Sequence, residues 1–237
     1  GNGGKILQWI ESFLISRSQH VIVNGFRSNP HPVISGVPQG SVIGPLLFLI
    51  LIGDIDSEVV SSFLSTFADN TRVSKGIADE VDITRLQTDL NSIYQWTNDN
   101  NMKLNDSKLE LLRYGLNEPL RERTHYVAPD GSFIEEKVTV KDLRVQMSND
   151  GSFTAHVNKI TQSARDMCSW ILRTFKSWSP EVMLTLWKTL VLPILDYCSQ
   201  LWCPITPKQI KQIEAIQQSF TRKITLPSKV DYWERLS

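Results

Sequence analysis

Apolar residues near the start of the chain recur at helical spacing. Ile6, Leu7, Trp9, Ile10, Phe13 and Leu14 predict an amphipathic helix over 5–17. HVIVNG, His20 to Gly25, then alternates as a strand does and ends in Asn24-Gly25, a turn signal. SNPHPVISGVPQG, Ser28 to Gly40, is dense in Pro, Gly and Ser and reads as a loop. VIGPLLFLILIG, Val42 to Gly53, is apolar throughout. It predicts a buried helix beginning near Gly44-Pro45, where the missing N–H of Pro costs nothing. SSFLSTFADNTRVSKGI, Ser61 to Ile77, reads as two short strands around a tight turn. A helix capped by Asp82 follows, with Ile83, Leu86, Leu90, Ile93 and Tyr94 as its apolar stripe. LELLRYG is a strand candidate, and His125 to Ser148 holds several short strands with a turn at PDGS, Pro129 to Ser132.

After SNDGS, Ser148 to Ser152, the pattern is helical to the end. One long helix is expected over 155–176. A second starts at SPEV, with Ser179 as cap and Pro180 in its first turn. A third covers KQIKQIEAIQQSFTRKI, with Ile210, Ile213, Ile216 and Phe220 on one face. The fold class expected is α+β, divided near Asp150. Residues 1–150 form antiparallel strands with packed helices, and residues 151–237 are all-helical.

Composition narrows this picture. The chain has 237 residues, 41% hydrophobic and 21% charged, enough for one large or two modest domains with real cores. The amino-terminal segment has no signal-peptide pattern, and the apolar run after Val42 is too short to cross a membrane. The chain does not begin with Met and reads as a fragment of something longer. Cys168, Cys198 and Cys203 are too few for a disulfide framework; they read as buried thiols in a reducing compartment rather than as metal ligands. The net charge of zero hides an asymmetry. Residues 1–151 carry 14 Lys and Arg against 19 Asp and Glu, net −5; residues 152–237 carry 11 against 6, net +5. A basic half suits a phosphate backbone and an acidic half suits a cation; scattered solvated charge is the plain alternative.

The candidate chemistry centres on FADNTR, Phe67 to Arg72. Two adjacent carboxylates on a rigid turn would clamp hard divalent cations for phosphoryl transfer. Here one carboxylate, Asp69, stands beside an amide, Asn70. The amide oxygen is neutral and binds such cations more weakly. Turn preference alone also explains the pair, because Asp and Asn tolerate turn geometry.

SGVPQGSVIGPLLFLILIGDI, Ser35 to Ile55, followed closely by FADN, resembles the reverse transcriptases of non-LTR retrotransposons, jockey-like elements in particular. The resemblance continues through LQTDLNSIYQWTNDNNMKLNDSKLELLRYG, through VKDLRV and through TFKSWSPEVMLTLWKTLVLPILDYCSQLW, and so covers nearly the whole chain. It implies a polymerase palm remainder over 1–150 followed by an all-α thumb over 151–237. The implied activity is RNA-templated DNA synthesis by two-metal nucleotidyl transfer, with Mg2+, an RNA template, a DNA primer and deoxynucleoside triphosphates as partners, in the nucleus or cytoplasm and away from membranes. By resemblance Asp69 matches the first Asp of the catalytic pair and would hold metal, and Asn70 stands where the second belongs. Gln39, Gly40, Ser41 and Phe67 would face template and incoming nucleotide. Lys108 matches a lysine that approaches the leaving pyrophosphate. Leu143 and Arg144 lie in the hairpin that supports the primer end, with Arg144 where the family's VKDLGV pattern has Gly; if that Gly is needed for unusual backbone angles, Arg is strained there. Arg173 and Lys176, with Lys159, Arg165, Arg222, Lys223, Trp170 and Trp178, would grip a duplex, while Trp187 and Trp202 belong to the core. Asp54 and Asp56 are not expected to complete the metal set. The expected state of this chain is inactive. The rival readings are a non-catalytic nucleic-acid-binding module and a decayed mobile-element remnant that barely folds.

Overall fold

The computed structural model describes residues 4–115, 124–176 and 179–224; Trp178 lies outside them. The described residues form two compact units, one of 4–109 with 124–133 and one of 110–115 with 134–176 and 179–224. The hairpin over 139–148 therefore belongs with the helices that follow residue 150 rather than with the preceding strands.

The first unit opens with α1 (Lys5–Leu14), four short strands β1 (Arg17–Gln19), β2 (Ile22–Val23), β3 (Phe26–Arg27) and β4 (His31–Val33), and α2 (Gly44–Ile52). Asn24 and Gly25 both take positive φ, +50° and +82°, and join β2 to β3 as the Asn-Gly pair predicts. β1 pairs with β4 around this hairpin, so the loop expected over 28–40 contains one strand. α2 begins at Gly44-Pro45 as expected. Its burial is not as expected: Leu46, Leu49, Ile50 and Leu51 are exposed. The reason is that one side only, through Phe48 and Ile52, packs into the small core of Ile55, Ile93 and Trp96. No helix of the described residues is long and apolar enough to cross a membrane.

A 3₁₀ turn (Gly53–Glu58) leads to the hairpin β5 (Phe63–Phe67) and β6 (Asn70–Ser74), then to α3 (Glu80–Asp99). The cap of α3 is Asp79, not Asp82: the Asp79 carboxylate accepts from the Asp82 N–H at 2.9 Å, and Asp82 accepts in return from the Ala78 N–H at 3.1 Å. That backbone bond leads the causes that hold the Asp82 carboxyl below its ordinary value. Further along α3, between Leu86 and Ile93, Asp89 is buried. It accepts from the Val60 N–H at 3.1 Å, the Ser61 N–H at 3.1 Å and the Ser61 hydroxyl at 2.7 Å. Burial opposes its ionisation, and the hydrogen bonds together outweigh burial, so its pKa lies below the ordinary value.

In the second unit β7 (Glu110–Leu111) pairs in parallel with β8 (Glu135–Glu136), where antiparallel pairing was expected throughout. β9 (Thr139–Asp142) and β10 (Val145–Ser148) form an antiparallel hairpin. The long helix α4 (Thr154–Thr174) follows, then α5 (Pro180–Leu186), a π turn (Trp187–Val191), α6 (Leu192–Asp196), α7 (Ser199–Trp202) and α8 (Pro207–Ile224). Pro193 accounts for the π turn. Its ring would meet the carbonyl four residues back in a regular helix; widening shifts the Leu192 N–H to the Trp187 carbonyl instead. Val157, Ile171, Met183, Trp187, Trp202 and Phe220 are central to a continuous core shared by these helices. Trp170 is exposed and packs edge-on against Phe175. Cys168 is buried, and burial raises its thiol to about 11. Cys198 is half-buried and Cys203 exposed, so the expectation of three buried thiols holds for one; both fall where the chain leaves α6 and α7.

The turn Leu143-Arg144 joins β9 to β10 with φ of +43° and +72°. Positive φ at both central residues is the I′ pattern, which favours Asn-Gly and strains residues that carry Cβ. The condition attached to Arg144 in the sequence is thus met.

Asp89→Asn should destabilise the chain by about 1–3 kcal/mol, because an amide keeps one acceptor oxygen and sets an NH2 donor against N–H or O–H donors now bonded to the other; urea unfolding measures it. The depressed pKa means this contribution is complete above the ordinary carboxylate value of 3.8 and is lost as pH falls below it. Arg144→Gly should raise stability in urea by roughly 0.5–1 kcal/mol, the relief of left-handed strain exceeding the added entropy of the unfolded chain.

Candidate active site and nucleic-acid interface

β5 and β6 run in register to Phe67 opposite Asn70, leaving Ala68 and Asp69 as a two-residue loop. Ala68 has φ +52°, and Asp69 is not among the residues with positive φ. Positive φ at the first central residue alone is the II′ pattern, where Gly is usual. Ala therefore carries strain at the tip, and Phe67, Asp69 and Asn70 are exposed around it. The far ends of the same hairpin are tied down. Lys75 donates to the Ser61 carbonyl at 2.8 Å and lies 3.6 Å from the Asp82 carboxylate, while Ser61 is held by Asp89.

Pro38 to Ser41 form a turn closed by the Ser41 N–H on the Pro38 carbonyl at 3.3 Å. Gly40 occupies its third position with φ +80°, the conformation a type II turn requires. Gln39 is exposed at the crest. The Ser41 hydroxyl donates to the Pro38 carbonyl at 2.7 Å and accepts from the Gly44 N–H at 3.1 Å, so it braces the entry to α2. A Cβ on Gly44 would lie 2.6 Å from that hydroxyl oxygen and 2.9 Å from the Pro38 carbonyl oxygen. Gly44 thus enforces a loop packed directly on the helix start, a role its place in a continuous apolar run hides.

Lys108 ends a 3₁₀ turn (Asp106–Lys108) and is exposed; its N–H bonds the Asn105 carbonyl at 2.9 Å. In the second unit Leu143 and Arg144 share the exposed I′ turn. The Arg173 guanidinium folds back onto the Ser169 carbonyl at 3.2 Å, and Lys176 lies exposed just beyond α4. Apart from Lys108, the predicted residues therefore fall into three turns and one helix end: Phe67-Asp69-Asn70, Gln39-Gly40-Ser41, Leu143-Arg144 and Arg173-Lys176.

A two-cation site needs carboxylates gathered at one point. Among the described residues no three His, Cys, Asp or Glu side chains cluster as metal ligands. Asp69 is the sole carboxylate in its loop, and Asp54 and Asp56 lie exposed on the 3₁₀ turn after α2. The residues present do not fit a complete two-cation site.

Two residues not singled out in the sequence govern the hairpin β9–β10. His156, buried on α4, accepts at Nδ1 from the Gln146 N–H at 3.2 Å and meets the Trp202 ring edge-on at 5.2 Å. Burial holds its pKa below the ordinary value, so the imidazole is neutral with its proton on Nε2. Tyr197, at the end of α6, donates its hydroxyl to the Leu143 carbonyl at 3.1 Å. Neither had a signal in spacing or composition, since each reaches across the chain to a backbone atom.

Residues 3–151 match the family model described as reverse transcriptase (RNA-dependent DNA polymerase). Over 234 residues the chain is 27% identical to the "RNA-directed DNA polymerase from mobile element jockey" of Drosophila melanogaster, covering 91% of this chain and 24% of that protein. It is 31% identical over 229 residues to the "Probable RNA-directed DNA polymerase from transposon X-element" of the same organism, with 91% and 24% covered. A jockey polymerase from Drosophila funebris is 25% identical over 232 residues, with 93% and 25% covered. The chain thus spans about a quarter of the length of these relatives. No solved structure matches it. With the motif segments in order along a match of this extent, the chain belongs to the reverse transcriptase (RNA-dependent DNA polymerase) family.

Proposed function

We propose that this chain is the palm remainder and thumb of a mobile-element reverse transcriptase, and that it does not polymerise by itself. The longer protein would copy an RNA template into DNA from a primer 3′-hydroxyl. The observation that carries the reading is the strained two-residue tip at Ala68-Asp69, a backbone outlier of the kind that persists where a site needs it, set inside the segment that matches the family.

In this reading Asp69 is the carboxylate left in the turn, and Asn70 supplies an oxygen without charge. Mg2+ would supply charge neutralisation at the transferring phosphate in the longer protein, but the residues of this chain do not make up its site. Gln39 and the Gly40 backbone offer hydrogen bonds and close approach to a template or nucleotide, and Ser41 keeps their turn in shape rather than touching ligand. Lys108 offers a positive charge toward a leaving pyrophosphate. Phe67 presents an exposed ring beside the turn. Arg144, Arg173 and Lys176 contact the phosphates of a primer–template duplex.

Primer extension on an RNA template with magnesium tests this. We expect no extension by this chain or by its Asn70→Asp variant. Asn70→Asp joined to the residues that precede this region in the jockey relative should extend, and Asp69→Ala in that background should abolish extension. Extension by the unaltered chain would overturn the assignment of Asn70.

A second reading, a nucleic-acid-binding module without catalysis, is favoured by one observation: the +5 charge of residues 152–237 against −5 before them. It predicts salt-sensitive binding of an RNA·DNA duplex with log affinity falling linearly in log salt. Absence of binding at low salt, measured by fluorescence anisotropy, would remove it.

A further inference from the structure

The strained turn that carries Arg144 is tied to the helices at two points. Gln146, two residues into β10, is held by His156 of α4, and Leu143, the first residue of the turn, is held by Tyr197 at the end of α6. The two bonds come from different helices and reach backbone atoms three residues apart, so the hairpin end is attached at two points. The Tyr197 bond is the more informative. Its acceptor is the peptide carbonyl linking Leu143 to Arg144, the peptide plane whose orientation sets where the Arg144 side chain leaves the turn. Both turn residues sit at positive φ, at +43° and +72°, a conformation with nearby alternatives once that plane is released. The Tyr197 hydroxyl also feels the Arg144 guanidinium: the Cys198 hydrogen bond leads the causes that raise the phenol, and the Arg144 charge opposes them.

We infer that Tyr197 is a positioning residue for duplex binding, holding the Leu143-Arg144 peptide so that Arg144 presents its guanidinium to a nucleic-acid phosphate. This rests on the reading of the Leu143-Arg144 turn as a duplex contact. Tyr197 touches no phosphate itself, and its hydroxyl serves by orienting a charge on the neighbouring turn. Phe at this position would keep the ring and lose the bond. The exposure of the side chain means that the loss costs little in stability.

Anisotropy titrations of the full chain with an RNA·DNA duplex across a salt series test it, with Arg144→Gln, Tyr197→Phe and the double variant compared with the unaltered protein. Arg144→Gln should lower the salt slope by about 1, the release expected for one phosphate contact. Tyr197→Phe should weaken binding roughly threefold and lower the slope in the same direction, with the thermal midpoint nearly unchanged. The double variant should bind no worse than Arg144→Gln alone, because Tyr197 acts only through Arg144. If Tyr197→Phe leaves affinity and slope untouched while Arg144→Gln lowers both, the positioning role is wrong and the duplex contact stands. Losses that simply add in the double variant overturn the positioning role in the same way. If Arg144→Gln has no effect, the duplex contact fails and the inference with it.

Discussion

The polar tie between Asp89 and the chain entering β5 is what the first unit depends on. Its carboxylate takes three hydrogen bonds from Val60 and Ser61, and Ser61 in turn accepts from Lys75 at the other end of the hairpin. Lys75 closes the circuit on Asp82 at the start of α3. Both open ends of the β5–β6 hairpin are thereby fixed to one helix. A two-stranded hairpin is marginal alone in water, and its two-residue turn is strained at Ala68. The base must be held for the tip to stay in that shape. The apolar contribution is small, limited to Leu64 and Val73 against the cluster around Ile93 and Trp96. Charge-assisted hydrogen bonds, stronger than neutral ones, therefore set the position of the loop that carries Asp69.

The second unit works the other way round. Its helices share a continuous apolar core, and the β9–β10 hairpin is tied to them by hydrogen bonds to its backbone from His156 and Tyr197. Burial of His156 supports this attachment only while the ring is neutral, since Nδ1 must accept from Gln146. Both hairpins therefore present a strained tip whose shape is maintained from elsewhere in their own unit.

Element type was readable wherever periodicity ran long. The stripe from Ile83 to Tyr94, the Ile210–Phe220 face and the Asn24-Gly25 turn each have one physical solution, and the structure adopts it. Burial of α2 departs from expectation because a helix apolar on every side is normally enclosed, and among the described residues one side alone finds partners. The cap of α3 is displaced because Asp79 and Asp82 are both competent, and the choice depends on which N–H each can reach. The turns at Ser35 to Gly40 and at FADN were legible, since Pro, Gly, Asp and Asn favour turn geometry; the roles given to their residues came from the resemblance alone. The residues that hold those motifs were not. Asp89, His156 and Tyr197 act on backbone atoms at 28, 10 and 54 positions' distance, and no local pattern encodes such a reach.

Two of the positions where the resemblance leads one to expect another residue, Asn70 and Arg144, have different physical consequences. Asn70 keeps the size and the β6 pairing of an Asp, opposite Phe67, so the tip loses charge and keeps its shape. Arg144 does the reverse: it keeps the I′ turn at a cost in strain and adds a charge where the pattern has none. Cation binding depends on charge at a fixed point, and a neutral amide oxygen weakens it. Duplex binding depends on positive charge spread along a backbone, the kind of charge that Arg144 carries. Under the proposed function the charge absent at Asn70 bears on metal chemistry and the charge present at Arg144 bears on duplex contact, and residues 152–237 carry a net charge of +5.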